Sequence, residues 1–409
     1  RSLLRTMSEL VDRVRVANDR PVRRDGRYVL YWMTAQRRLH ANHALDRAVA
    51  HARELERPLL VFEPLRVDYP HASARFHAFV LQGMADNAAE AERAGVRYLP
   101  WVEPGRGAGR GLLAVLAEHA CVVVCDDHPA LFYPRMIDAA AAAVSVRLEA
   151  VDGAGIAPWR ATPQTCKTAY AFRRHLQKIL GPYLEQPPGA RPLQRLRSMP
   201  AAVVPREVLD RWPPATVALL EATPEALAEL PVDPEVEPVE MRGGSVAGRV
   251  VLEEFLASRL PRYAEERNHP DDDVASGLSP YLHFGHVGAW EVLGAVAGVE
   301  DADLVRPRPP ANGARKGWWG MSEGAEAFLD QLVTWRELGL NLCATWPDAA
   351  SYASLPEWAR ETLGAHVADP RPYVYDLATL EAAATHDEIW NAAQRELVRE
   401  GRMHNYLRM

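Results

Sequence analysis

The sequence predicts an α/β domain built on a parallel, doubly wound sheet, followed by an all-α domain. Three observations carry this. Between Arg27 and Val151, short β-rich runs alternate with amphipathic stretches, the rhythm of βαβ units. Residues 187–238 then hold eleven of the 32 prolines, a density that marks a connector. Beyond residue 245 the apolar spacing turns to the helical period in RVVLEEFLASRL, WEVLGAVAG, EAFLDQLVTWRELGLNLC and DEIWNAAQRELV.

A chain of 409 residues exceeds one ordinary core, and the composition shifts divide it into 1–186, a connector over 187–244, and a helical domain over 245–409. In the first part the elements run strand RYVLYWM, helix near 41–56, strand PLLVFEP, helix near 71–94, strand VRYLPWV and strand CVVVCD. Ligands of such a sheet sit at the C-terminal ends of its strands. Gly105, Gly107, Gly109 and Gly111 are interleaved with arginine and lack the dinucleotide fingerprint spacing, so a flexible surface loop is expected there. Cys121 and Cys125, four apart in one strand, are expected on one face as structural thiols; Cys166 and Cys343 are too scattered for a disulfide framework. In the connector, proline density and the seven acids of 221–240 argue against a packed core, with short helices, such as one within 215–230, left open.

Neither a membrane span nor a secretory leader is visible, and a cytoplasmic location is expected. The net charge of −7 opposes a uniformly positive coat, yet residues 159–211 carry ten Arg or Lys against three acids. A solvated helix face with a basic linker and a phosphate-facing surface both fit that stretch. No metal is expected, because Asp271–Asp273, His283 and His286 complete no ligand spacing.

In VASGLSPYLHFG, Ser276, Gly277, Leu278 and Ser279 lead into Pro280, with Ser279 read as the cap of a new helix. Free N–H groups and two hydroxyls there suit either a diphosphate or an ordinary capped helix. Seven of eleven tryptophans lie between Trp290 and Trp390, where indoles line pockets for planar rings or simply fill a core. Gln331 and Trp335, four apart, share a helix face, while Arg336 and Glu337 point elsewhere. Thr385 to Glu388 reads as a capping box for the helix of Trp390, Gly401 closes it, and the next helix opens with Met403.

SGLSPYLHFG, EAFLDQLVTWREL, LPEWARETL and THDEIWNAAQRELVREGRMHNYLRM, with RYVLYWMTAQRRLHANHAL and PLLVFEP upstream, together resemble the photolyase and cryptochrome superfamily, most of all class II cyclobutane pyrimidine dimer photolyases. The resemblance implies a Rossmann-like first domain and a helical domain that binds FAD; it leaves any antenna chromophore open. By motif match, Tyr263 and Ser276, Gly277, Leu278 and Ser279 would hold the flavin phosphates with Arg336 nearby. Arg408 would sit by the isoalloxazine edge, Gln331, Trp335 and Asn405 would face the lesion, and Trp390 would relay electrons.

The implied partner is UV-damaged DNA, bound by a monomer with the dimer flipped into the pocket. Two departures stand out. Gln331 replaces the family's glutamate, and the family continues past Met409, so the helical domain is expected to be C-terminally truncated. The alternatives are a cryptochrome-like photoreceptor without repair activity, or a flavin-free derivative.

Overall fold

A computed structural model describes residues 12–346 and 348–408. Six strands form one sheet in the order β1-β6-β5-β2-β3-β4: β1 Val14–Val16, β2 Tyr28–Trp32, β3 Leu59–Leu65, β4 Arg97–Val102, β5 Ala120–Asp127 and β6 Leu148–Asp152. All neighbours are parallel except β1, which runs antiparallel to β6. Strand order reverses between β2 and β5, which makes the sheet doubly wound, as predicted. Helices His43–Leu55 and Ala74–Ala94 form where expected, because Asn42 and Ser73 each accept backbone N–H groups at the first turn. The sequence reading missed β6, whose apolar run is broken by Glu149. That carboxylate is nonetheless buried, since Arg47 donates to it at 2.7 Å and His51 lies at 2.9 Å.

Two expectations about this domain fail for local reasons. Cys121 packs on one side of the sheet with Val29, Tyr31 and Leu45, and Cys125 on the other with Leu30, Trp32 and Ile137. A register shift between Tyr28 and Leu30, opposite Ala120 and Val123, inserts an extra residue in β5. Such a bulge flips the alternation between the two cysteines. The loop of Gly105–Gly111 is tied down rather than free, because the buried Glu103 carboxylate accepts the N–H of Gly107 at 2.9 Å.

The proline-rich connector also packs, contrary to the reading of its composition. Leu193 and Leu196 join one face of the sheet, Val204, Val208 and Trp212 the other, and Leu220, Leu227 and Leu230 cover helix Ala74–Ala94. Short helices Arg206–Arg211, Val217–Leu220 and Pro224–Ala228 place those leucines and valines inward while the acids stay exposed. Sparse apolar residues at the right turns suffice when an existing surface supplies the other half of the core.

The helical part docks on the loop that leaves β2. Arg38, 2% exposed, donates to Gly285 O at 2.9 Å and to Gln36 Oε1 at 2.7 Å. At the switch point between β2 and β5, the Asp126 carboxylate accepts three consecutive N–H groups, those of Thr34, Ala35 and Gln36, at 2.7–2.9 Å. No described helix is long and apolar enough to cross a membrane.

Candidate functional site

A chain of aromatic contacts organises the helical part around residues 255–279. Tyr263, in a short helix Tyr263–Glu266, is 9% exposed. Its ring stands edge-on to Phe255 at 5.7 Å and to Phe328 at 5.4 Å, with the Arg267 guanidinium 5.4 Å from its centroid. Burial raises the phenol's pKa, so it stays protonated. Arg259, beside Phe255, donates to Ala275 O at 3.1 Å and so reaches the segment Ser276–Ser279. There Gly277 takes φ +70°, a left-handed conformation suited to glycine. Ser276 Oγ accepts Leu278 N–H at 3.3 Å, and Leu278 is fully buried. Ser279 is the first residue of helix Ser279–His283 and does not cap it; Leu278 holds the cap position.

Phe328 leads into the motif segment. The predicted continuous helix is interrupted: Glu323–Leu329 is α-helical, Asp330–Trp335 is a π turn, and Arg336–Thr345 resumes the α-helix. Arg336 N–H reaches back five residues to Gln331 O, the widened turn that such insertions make. Asp330 forms a buried ion pair with Arg173 at 2.7 Å, Gln331 is partly buried, and Trp335 is 46% exposed. Arg336 and Glu337 do point elsewhere, toward the α/β domain: Arg336 Nη1 donates to Ala154 O at 2.6 Å, and Ile156 N–H donates to Glu337 Oε1 at 2.6 Å. Arg336 therefore reaches the domain boundary.

That boundary holds two buried acids. Burial pushes Glu337 up to about 7 and Asp152 up to about 6, despite Arg13 and Arg336 close by. An acid whose folded pKa is raised stabilises the fold below its unfolded value and loses that contribution as pH climbs to the folded one. Glu337→Gln keeps an acceptor for Ile156 N–H but cannot titrate. Relative to wild type, the variant should therefore gain about 1.4 kcal/mol per pH unit between its ordinary 4.5 and about 7. Urea titrations across that range would show a flat difference if the acid were not buried uncharged.

The C-terminal motif residues sit on helix Glu388–Glu400 and the terminal turn Asn405–Arg408. Asp387 is the true cap, accepting Ile389 and Trp390 N–H at 2.9 Å; Thr385 instead pairs with Asn391, so the capping-box reading is corrected. Gly401 closes the helix at φ +71°, and the next helix starts at Asn405 rather than Met403. Trp390 is 38% exposed, and Arg408 donates to Asn405 Oδ1 at 2.8 Å. Arg402 pairs with Asp273 at 3.3 Å, which fastens this segment to the strand of chain that enters Ser276–Ser279.

The structure thus links Tyr263 to Gln331 through Phe328, and Ser276–Ser279 to Asn405 and Arg408 through Asp273 and Arg402. Arg259, Arg402 and His404 lie on these segments too and were not singled out as ligands from the sequence. His404 Nε2 is buried without a hydrogen-bond partner among the described residues, a donor or acceptor left over for a ligand. Hydroxyls, a glycine turn, guanidinium groups and an aromatic wall fit an anionic coenzyme with a planar ring.

A doubly wound sheet followed by a helical part is the architecture of photolyases and cryptochromes. The structural neighbours share the architecture. A class III photolyase from Agrobacterium tumefaciens superposes with a TM-score of 0.67 at 20% identity over 94% of this chain and 71% of its own. A cryptochrome from Synechocystis gives 0.63 at 15% identity over 93% and 73%. A DNA photolyase family model matches residues 29–192.

The chain belongs to the DNA photolyase family. It is 32% identical to the deoxyribodipyrimidine photo-lyase of Methanothermobacter thermautotrophicus over 97% of this chain and 80% of that protein. Identity to the enzyme of the same name from Oryza sativa is 33%, over 93% and 71%. Members of this family generally bind flavin.

Proposed function

We propose that the protein is a light-dependent DNA-repair enzyme of the class II type that splits cyclobutane pyrimidine dimers with FAD as cofactor. The observation that carries this is a match to a deoxyribodipyrimidine photo-lyase over 97% of the chain. Ser276, Gly277, Ser279, Tyr263 and Arg259 would hold the phosphates, and Arg408 the ring edge. When bound, reduced FAD supplies the light-driven electron that opens the cyclobutane ring.

The chain's own residues bind and orient. Gln331 and the exposed Trp335 would receive a dimer flipped from the duplex, whose weakened stacking lowers the cost of extrusion to a few kcal/mol. Asn405 would contact the lesion from the other side, and Trp390 would carry electrons inward. The four cysteines are free thiols, which suits the reducing cytoplasm. The test is thymine-dimer repair under blue light against darkness, with the visible absorption of the FAD-reconstituted protein recorded beside it. Light-independent or absent repair in a flavin-loaded sample overturns the reading.

Gln331 favours one second reading, a photoreceptor that keeps the flavin and has lost repair. An amide donates a weaker hydrogen bond to a negatively charging dimer than a protonated carboxyl does. Partial burial raises the pKa of an introduced carboxyl and keeps it a donor at moderately acidic pH. Gln331→Glu should therefore raise the dimer-splitting yield roughly fivefold, an increment of about 1 kcal/mol. The gain should fade as pH rises through that carboxyl's pKa. Equal yields for the two proteins at every pH would remove the role given to this position.

A further inference from the structure

We propose that Arg174, Lys178 and Arg315, with Tyr170 beside them, form a phosphate-binding flank for duplex DNA next to the segment that carries Gln331 and Trp335. The inference rests on the DNA-repair reading and names where that partner docks.

Helix Ala169–Leu184 buries Phe172, Leu176, Leu180 and Leu184. Tyr170, Arg174 and Lys178 recur every four residues on its exposed side, one above the other along a single stripe. A second segment lies against that stripe. Residues 305–320 hold four bases and no acid. Gly313 sits so close that a Cβ there would lie 2.7 Å from the Tyr170 ring. Gly313 N–H donates to Gln177 Oε1 at 2.8 Å, and Gln177 Nε2 donates to Ala314 O at 3.0 Å. Arg315 therefore emerges beside this helix, next to Gln177 and exposed.

The segment is held rather than loose. Arg306 and Arg308 both donate to Trp319 O, at 2.7 and 2.9 Å, and Trp318 and Trp319 meet edge-on at 4.8 Å. Ordering is thus complete before any partner arrives, which favours binding. Nearby acids are already engaged: Asp330 by Arg173, and Glu323 by Lys316. Beneath the flank runs a small cleft lined by Arg173, Gln177, Arg315, Trp318, Asp330 and Thr334, so the flank adjoins the π turn itself. The net charge of −7 leaves such a positive patch as a local feature, fitted to an evenly spaced polyanion. Both indoles of the segment are buried, so neither is free to insert into a bilayer.

The experiment compares this chain with R174Q/K178Q/R315Q, binding an undamaged duplex and the same duplex with one thymine dimer, in darkness across a salt series. The slope of log affinity against log salt should shrink by about 0.9 per lost contact, or about 2.7 for three, with both duplexes weakened alike. R206Q/R211Q, exposed cations of the connector, should keep the wild-type slope. An unchanged slope in the triple variant overturns the flank, as does a loss of affinity for anionic vesicles with DNA binding intact. Should the triple variant not fold, R174Q and R315Q are read singly, each expected to lose about 0.9. A wild type that binds neither duplex refutes the repair reading itself, a result distinct from a flank that does not matter.

Discussion

Gly285→Ala should cost the folded chain about 4 kcal/mol, the sum of a strained backbone and a steric overlap that cannot relax. Gly285 has φ +72°, and a Cβ built on it lies 1.9 Å from Ala35 O and 2.8 Å from Arg37 N. Both obstacles are backbone. Neither can retreat easily, because Ala35 and Gln36 N–H are bound to Asp126 and Gly285 O holds the buried Arg38. The overlap falls where the helical part meets the loop after β2, so the variant should loosen domain docking before it loosens the sheet. Gly317 is the control: φ is +83° with nothing within 4 Å of a Cβ, so Gly317→Ala should lose only about 1 kcal/mol. Urea midpoints at constant slope report both values. Similar losses in the two variants would show that the close approach to Ala35 does not matter.

What was legible in the sequence and what was not divides along the reach of the forces involved. RYVLYWM, PLLVFEP and CVVVCD announced their strands because each run carries its own apolar period, and the Asn42 and Ser73 caps act within three residues. The β6 strand stayed hidden because Glu149 becomes tolerable only when Arg47 and His51, far away in the chain, neutralise it. The Cys121 and Cys125 assignment failed for a related reason, since a bulge depends on pairing with β2. In the site, the family resemblance pointed to Tyr263, Ser276–Ser279 and the Gln331 segment. It could not show that Arg336 turns to Ala154, nor that Arg402 reaches Asp273 across 129 positions. Those contacts come from tertiary packing, which overrides local periodicity, as does the π turn at Asp330–Trp335.

Asp126→Ala should be more damaging still, with a loss of about 5 kcal/mol, because three backbone N–H groups and the Tyr31 hydroxyl lose one shared acceptor. Asp126 is fully buried, and Tyr31 Oη donates to its Oδ1 at 2.8 Å. Each orphaned donor costs about 1–3 kcal/mol when water cannot reach it. Asp126→Asn should fall between, since the amide keeps one oxygen but points an N–H₂ at other donors. The position has a second consequence. Three consecutive N–H groups at the switch point of a doubly wound sheet make an anion-binding nest, and here the chain's own carboxylate fills it. An anionic ligand directed at these three N–H groups would meet the Asp126 carboxylate instead of free donors. Removing the carboxylate should reopen the nest, so sulfate or phosphate should raise the melting temperature of Asp126→Ala in proportion to occupancy and leave wild type unmoved by the same mechanism. A variant as stable as wild type, or one indifferent to both anions, would mean that the three N–H groups find other partners and that the nest does not decide what this domain binds.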